Sequence, residues 1–200
     1  MMFIYSKKQF SMQLHSKKSF ILLLLLVTTG LLVQAIPLDY KNRWLEKELV
    51  KDWNVTISSL KELPELTSQL IHQGKVFQIT NQIEVKGYVY IGRVTSCRMG
   101  GCSNSIEFMN DSENFEYFDM YIIYDSNKKV RSVKVFDYQA THGHEICSKS
   151  WLKQFLVNDD EEFFEVGKNI DSISGATISV YAIASEVNYI NQLLKSSKNR

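Results

Sequence analysis

The sequence lacks an excess of charge of either sign. Its 200 residues include 23 Lys and Arg against 22 Asp and Glu, which gives a formal net charge of +1. A domain that binds nucleic acid usually carries a clear basic surplus, so this balance argues against a nucleic-acid partner. The chain also has no internal repeat and no low-complexity segment, and 44% of its residues are hydrophobic. These features are typical of one ordinary globular domain.

The hydrophobic run "FILLLLLVTTGLLV", residues 20–33, is short for a complete membrane span, which needs about 20 apolar residues. The segment Val33-Gln34-Ala35 after it fits the small-x-Ala pattern of a secretory cleavage site. The leader before the run carries four lysines, Lys7, Lys8, Lys17 and Lys18. We therefore predict that residues 1–35 are either a signal peptide cleaved after Ala35 or a membrane anchor retained through residues 20–33. Both alternatives predict an exported chain.

Cysteine is scarce and odd in number, with only Cys97, Cys102 and Cys147. An oxidising compartment favours a disulfide, but three cysteines leave at least one thiol free, paired between chains or bound to another group. Because His142 and His144 lie close to Cys147, a metal site built from these five residues is an alternative. Its spacing matches no common zinc finger or ribbon.

The segment at residues 36–74 is predicted to be helical. Apolar residues recur near helical spacing from Leu38 to Trp53, which favours a helix that packs on the domain or leads into it. A second short helix is predicted from Glu65 to His72, after Pro64, because proline is tolerated in a first helical turn. The side chains expected to be buried in the first helix are Trp44, Leu45, Leu49 and Trp53.

The middle of the chain is rich in β-branched and aromatic residues, which favour strands. Turn residues at 125–129 predict an antiparallel hairpin between the last two strands. Alternation along Phe118–Tyr124 indicates one well-buried face and one semi-apolar face. The four predicted strands lie within residues 76–80, 83–94, 118–125 and 130–138.

The last part of the chain predicts a short helix after Ser148, a solvated acidic run at Asp159–Glu162 and a closing amphipathic helix. The acidic run lacks the spacing of a calcium loop. The apolar stripe of the closing helix is formed by Val180, Ile183, Val187, Ile190 and Leu194, and the polar residues Glu186, Asn188, Gln192 and Lys195 are expected mostly on its other sides. The predicted fold class is therefore α+β, with a twisted antiparallel sheet of hairpins packed against a C-terminal amphipathic helix. This single domain follows the N-terminal export segment.

The start of this helix, Ser174-Gly175-Ala176-Thr177, has unusually small side chains. A helix start leaves backbone N–H groups without partners and carries partial positive charge, so it attracts phosphate. Small residues allow a phosphate to approach closely. An ordinary helix cap is the alternative, because Ser and Gly are also common before helices.

The stretch Asp171-Ser172-Ile173-Ser174-Gly175-Ala176-Thr177 matches the pattern D-x-x-S/T-G-A-T. It resembles the FMN-binding domain family, found in the flavin-carrying C subunit of the sodium-translocating NADH:quinone reductase and in the G subunit of the Rnf electron-transport complex. In that family a flavin transferase uses FAD to join FMN, through its phosphate, to the hydroxyl of the last threonine of the motif. The resemblance implies that Thr177 is the attachment residue.

A second patch extends the resemblance. The family often has E-T-P-G followed by W-x-x-Q-F, and this chain has Ala140-Thr141-His142-Gly143 followed by Trp151-Leu152-Lys153-Gln154-Phe155. Ala140 and His142 depart from the family pattern, as does Val180 at a position where the family commonly has a hydroxyl. The pair of cysteines in "CRMGGC" matches no core motif of the family. The resemblance covers roughly residues 75 to 195 and implies an FMN-binding domain over residues 75–200.

The resemblance implies a flavoprotein that transfers electrons, with FMN doing the redox chemistry, and the predicted export segment places it in the periplasm or cell envelope. The implied partners are a flavin transferase for maturation and redox proteins of the envelope, which include the alternative of a membrane complex. The residues implied in cofactor binding are Thr177, Ser174, Gly175, Ala176, Asp171, Thr141 and Gly143.

The sequence contains no evident set of acid, base and nucleophile, so we expect an electron-transfer component rather than a stand-alone enzyme. Candidates for tuning the flavin potential are Tyr88, Tyr90, Thr141 and His142, although core packing is the alternative for the two aromatic residues. A different hypothesis is an exported thiol or metal redox module that uses Cys97, Cys102, Cys147 and the nearby histidines.

Overall fold

The computed structural model of the protein describes residues 36–81, 84–98, 115–156 and 163–197. The predicted export segment, Cys102 and the acidic run at 159–162 lie outside the described residues, as does the side chain of Cys97. The secondary-structure elements all belong to one compact unit, Leu38–Arg200.

A five-stranded sheet forms the centre of this unit. Its spatial order is β1-β2-β3-β4-β5, and each strand pairs antiparallel with its neighbour. The four predicted strands are confirmed, and one very short strand precedes them. The strands are β1 (Lys61–Glu62), β2 (Gly74–Asn81), β3 (Glu84–Arg98), β4 (Phe115–Asp125) and β5 (Val130–Tyr138).

The predicted hairpin between β4 and β5 is confirmed. The Asp125 N–H donates to the Lys129 carbonyl at 3.0 Å, and the Asp125 carboxylate accepts hydrogen bonds from the N–H groups of Asn127 and Lys129 at 2.9 and 3.0 Å. Lys128 takes a positive φ of 63° in this turn. An aspartate that bonds to backbone N–H groups further along the chain is a local turn signal, which is why this connection could be predicted from sequence.

One face of the sheet is covered by the long C-terminal helix. This helix spans Thr177–Ser196 and is called α4 below, after the three short α-helices that precede it among the described residues. All five residues of its predicted apolar stripe have no exposed surface. They share one hydrophobic core with Tyr90 and Val94 of β3 and with Phe118, Met120, Ile122 and Tyr124 of β4, and each fully buried side chain of this size contributes about 1.5–3 kcal/mol. The predicted α+β class is thereby confirmed.

Two polar residues of α4 that were expected on its outer sides are buried instead. Glu186 and Asn188 are only 3% and 5% exposed. The Tyr90 hydroxyl donates to the Glu186 carboxylate, and the Asn188 amide exchanges two hydrogen bonds of 2.8 Å with the backbone of Phe164. Buried polar groups need such partners, and these partners lie too far away in sequence to be seen in the periodicity of the helix.

The other face of the sheet is covered by the N-terminal segment. Its helix α1 (Arg43–Glu48) continues as a π-helical turn, Leu49–Trp53, and is shorter than the predicted helix. Leu45 and Leu49 are fully buried, as predicted, and pack with the odd-numbered β4 residues Tyr121 and Ile123. The face of β4 that looked only semi-apolar is therefore a second core.

The prediction that Trp44 is buried was wrong, since 38% of its surface is exposed. The guanidinium of Arg43 lies 4.5 Å and the Lys134 ammonium 5.7 Å from its ring. Cations over an indole stabilise it at the surface, which helical spacing cannot reveal. The second predicted helix is also shorter than expected and forms α2, Pro64–Thr67.

Short elements carry the chain from β5 towards α4. A 3₁₀ turn spans His144–Cys147, and the predicted helix after Ser148 appears as α3 (Lys149–Leu152) followed by a 3₁₀ turn at Lys153–Leu156. Within the described ranges, no helix has the length and apolar character needed to cross a membrane.

Candidate functional site

The helix α4 begins at Thr177 with its first N–H groups free of a side-chain cap. Ala176 is the N-cap residue, and its carbonyl accepts the first helical hydrogen bond from the Val180 N–H at 2.9 Å. Helix geometry leaves the N–H groups of the first turn without intrahelical partners, and their dipoles sum to partial positive charge. The side chain of Thr177 is exposed at this end. The position combines a reachable hydroxyl with donors suited to an anion.

A tight turn precedes the helix. The Ala176 N–H donates to the Ile173 carbonyl at 3.1 Å, and Gly175 has a φ of 81° at the third position of the turn. A residue with positive φ at that position is what a type II turn requires, and glycine takes it without steric cost. A Cβ at Gly175 would find no atom within 4 Å, so the space in front of this backbone is open. Ser174 and Gly175 are exposed, whereas Ala176 points inward and is 3% exposed.

The backbone of Asp171 is held from two sides by the W-x-x-Q-F segment. The Trp151 indole N–H donates to the Asp171 carbonyl at 2.9 Å, and the Asp171 N–H donates to the Gln154 side chain at 2.7 Å. Phe155 is buried and packs edge-on against both Trp151 and Phe164. These residues fix the start of the loop that leads to Thr177. The Asp171 side chain itself is exposed.

The loop at Thr141–Gly143 lies against the same helix start. Gly143 has a φ of 91°, and a Cβ at this position would lie 2.8 Å from the Tyr138 hydroxyl, 2.9 Å from Ser179 Oγ and 3.2 Å from Ala176 Cβ. The two sequence motifs that resemble the FMN-binding family therefore meet in space. Thr141, which is exposed, donates its hydroxyl hydrogen to the Glu116 carboxylate.

A chain of hydroxyl groups supports this contact. Tyr138 donates to the His142 carbonyl, so its oxygen accepts from Ser179, 3.0 Å away. Ser179 in turn lies 2.7 Å from the Ser96 hydroxyl on β3. Burial raises the pKa of Tyr138, which keeps its hydroxyl protonated as the donor to the loop. Ser179 is 3% exposed, so this network lies beneath the helix start rather than in solvent.

Sequence reasoning did not identify Tyr138, Ser96 or Glu116 as part of this region. Ser96 and Tyr138 are separated from Ser179 by 83 and 41 residues, and Glu116 from Thr141 by 25. No local spacing signal connects such positions, because they meet only through the pairing of the sheet and the docking of α4.

The two tyrosines considered for tuning a flavin lie in the core between the sheet and α4. Tyr90 has no exposed surface and Tyr88 is 9% exposed. Tyr90 is bonded to Glu186, more than two helical turns beyond Thr177 along α4. Packing is thus the observed role of both rings.

The candidate thiol and metal residues do not form a cluster among the described side chains. His142 and His144 are exposed, and the His144 ring packs edge-on against Tyr138 at 5.5 Å. Cys147 is a free, half-buried thiol whose pKa is raised to about 11 by burial. Within the described ranges, no group of three His, Cys, Asp or Glu side chains could hold a metal.

The arrangement as a whole is an uncapped helix start with an exposed threonine hydroxyl, in an α+β domain. Residues 117–192 match the model of a family described as the FMN-binding domain. This match supports the assignment of residues 117–192 to the FMN-binding domain family, and it includes most of β4, all of β5 and most of α4. No curated protein matches the chain.

Proposed function

We propose that FMN is attached through its phosphate to Thr177 and that the protein is an electron-transfer component of the cell envelope. The observation that carries this proposal is the exposed Thr177 at the uncapped start of α4, inside the segment that matches the FMN-binding domain. The residues present fit an FMN phosphate, because an N–H donor set, open space at Gly175 and a reachable hydroxyl occur together.

The attachment step transfers a phosphoryl group. Thr177 Oγ attacks the phosphorus of FAD that bears the riboflavin part. The bond from that phosphorus to the bridging oxygen of the diphosphate breaks, and AMP leaves with the bonding electrons. The hydroxyl proton of Thr177 is transferred to a base or to water. The protein gains the mass of FMN less one water. A flavin transferase supplies the FAD and the catalytic groups.

The chain's own residues then hold the ester in place. The N–H groups of the first α4 turn and the Ser174 hydroxyl are donors for the remaining phosphate oxygens. Gly175 offers no side chain that would block them, and the contacts of Trp151 and Gln154 with Asp171 fix the loop before the turn. Bound FMN supplies the redox chemistry, while the protein determines its position and access to water.

Export is the second part of the proposal. The basic leader, the apolar run at 20–33 and the site at Ala35 support a signal peptide or a retained anchor. A covalent ester suits this location, because FMN that dissociates outside the cytoplasm would be lost. The electron donor and acceptor are expected among redox proteins of the envelope or within a membrane complex.

Coexpression with a flavin transferase tests the attachment. Intact-mass analysis of the exported protein should show the mass of FMN less water, and peptide mapping should place it on the peptide that contains Thr177. Thr177→Ala should remove the added mass, and Thr177→Ser should retain it because the hydroxyl remains. Ser172→Ala is the matched control, since it removes a nearby exposed hydroxyl that has no part in the proposed phosphate contacts and should leave the modification in place. An unmodified wild-type mass, or a flavin on another peptide, would overturn the proposal.

A further inference from the structure

Two large apolar side chains are exposed beside Thr177. Ile178 is 40% and Tyr181 is 54% exposed on the first two turns of α4, whereas the other large apolar residues of this helix are buried or, for Tyr189, partly buried. In the described part of the chain, the Tyr181 hydroxyl has no hydrogen-bond partner and its ring packs on no other ring. Exposed apolar groups that adjoin a binding site often belong to its contact surface.

The helix places Tyr181 over the turn that carries Thr177. Residues four apart on a helix are neighbours, with about 5–6 Å between their Cβ atoms. Side chains of a helix also lean towards its N-terminus, so the Tyr181 ring extends in the direction of Thr177. Ile178 is three residues before Tyr181 and flanks the same surface.

The opposite flank of the helix start is closed. Ala176 and Ser179 are both 3% exposed and face the loop at Gly143, where even a Cβ would meet three atoms at 2.8 to 3.2 Å. A planar ring tethered at Thr177 has no room on that flank. The open side of Thr177 is the one that carries Ile178 and Tyr181.

We propose that Tyr181 is the aromatic platform on which the isoalloxazine ring of Thr177-bound FMN stacks, with Ile178 covering the adjacent edge. This inference rests on the proposed function. Aromatic rings stack in offset arrangements with centroids about 4.5–7 Å apart. Thr177 and Tyr181 lie on neighbouring turns of α4, and one turn rises about 5.4 Å, so a ring tethered at Thr177 can reach the Tyr181 ring. The ester tether raises the effective concentration of the ring at this surface. Tyr181 is thus a positioning residue that limits the motion of the flavin and shields one face from water.

Flavin fluorescence tests the contact, because a stacked phenol quenches an excited flavin by electron transfer and phenylalanine does not. The full chain is coexpressed with a flavin transferase, and the mass gain on Thr177 is verified first for each variant. Tyr181→Phe should raise the fluorescence yield and mean lifetime several-fold. Tyr189→Phe is the matched control, since Tyr189 lies on α4 about 12 Å further along and should change neither. Tyr181→Leu should also lower the fluorescence anisotropy of the flavin, because the platform is lost.

The outcomes separate this inference from the proposed function. Absence of the FMN mass on the wild-type Thr177 peptide would overturn both. A full mass gain with the same lifetime in wild type and Tyr181→Phe would overturn only the role of Tyr181. An equal rise in the Tyr189→Phe variant would also contradict it, because quenching would then not require contact on the Thr177 side of the helix.

Discussion

Gly143 lies where the loop after β5 packs against the start of α4. Its φ of 91° lies in the left-handed region, and three atoms surround the place of its missing Cβ. Gly167 has a similar φ of 85°, but a Cβ there would meet no atom within 4 Å. Replacement of Gly167 thus tests the cost of positive φ alone, whereas replacement of Gly143 adds steric contact with neighbouring atoms.

Gly143→Ala should destabilise the protein more than Gly167→Ala. Both variants lose about 1–2 kcal/mol because an L residue is strained at positive φ. Gly143→Ala also forces its methyl group against Tyr138 and Ser179, which adds about 1–3 kcal/mol. Urea denaturation of both variants measures the difference in the free energy of unfolding. Equal losses would show that the loop can move away from α4 without cost.

The short helical segment from α3 to Leu156 positions the loop before α4 through two hydrogen bonds. Trp151 is buried and donates to the Asp171 carbonyl, while the partly buried Gln154 accepts from the Asp171 N–H. Phe155, the last residue of the W-x-x-Q-F segment, is buried and anchors the segment in the core. In this fold, Trp151 and Gln154 of the W-x-x-Q-F segment therefore act together to hold the backbone of Asp171.

Gln154→Ala should loosen the loop at residues 171–176 while leaving the sheet intact. The lost hydrogen bond is worth about 0.5–1.5 kcal/mol. Local opening of the loop should therefore become about 2- to 10-fold more frequent. Hydrogen exchange followed by mass spectrometry should show faster exchange in the 171–176 peptide. In peptides from β4 and β5, the rates should stay unchanged.

Gln192→Ala is the control for this experiment, because Gln192 is an exposed glutamine on α4. It removes the same side chain from the surface and should leave the exchange of residues 171–176 unaltered. Faster exchange in both variants, or in neither, would contradict the positioning role of Gln154.

The elements that could be predicted from sequence are those with a local periodic signal. The strand at Phe118–Tyr124 alternates and the helix stripe from Val180 to Leu194 repeats every three or four residues, and both were confirmed. Glu186 was misplaced because its partner, Tyr90, is 96 residues away. The same reason explains why the Tyr138 and Ser96 hydroxyls beneath the site were not predicted. Small residues and Asp171 marked the helix start, but only the fold brings Gly143 against it.

At the scale of the compact unit that begins at Leu38, the described residues form three layers, with residues 38–60 and α4 on opposite faces of one sheet. The hydrophobic core that β3 and α4 share also contains the buried carboxyl group of Glu186. Gly92 on β3 leaves the space that the Tyr90 hydroxyl occupies, since a Cβ there would lie 1.8 Å from that oxygen. The glycine at position 92 thus allows the hydrogen bond between Tyr90 and Glu186 inside the main core.

This buried carboxyl group should make the stability of the whole domain depend on pH. Burial raises the pKa of Glu186 above its ordinary value of 4.5, against the opposing effects of the Tyr90 hydrogen bond and of His72, whose Nε2 lies 3.8 Å away. In the unfolded chain the carboxyl group ionises near its ordinary pKa, whereas in the folded protein it stays protonated to higher pH. Between these two values the folded state binds more protons, so stability falls as pH rises. The contribution is fully present below about pH 4.5 and is lost as pH rises through the raised pKa.

Glu186→Gln removes this titration while keeping an oxygen that accepts from Tyr90. Thermal unfolding of both proteins from about pH 4 to about pH 8 should show that the variant gains in Tm relative to wild type as pH rises. The steepest loss expected for one group is about 1.4 kcal/mol per pH unit. Glu165→Gln is the control, since Glu165 is exposed and its replacement should leave the wild-type pH profile in place. Parallel Tm profiles for wild type and Glu186→Gln would contradict this prediction. They would mean that the pKa of Glu186 is the same in the folded and the unfolded protein.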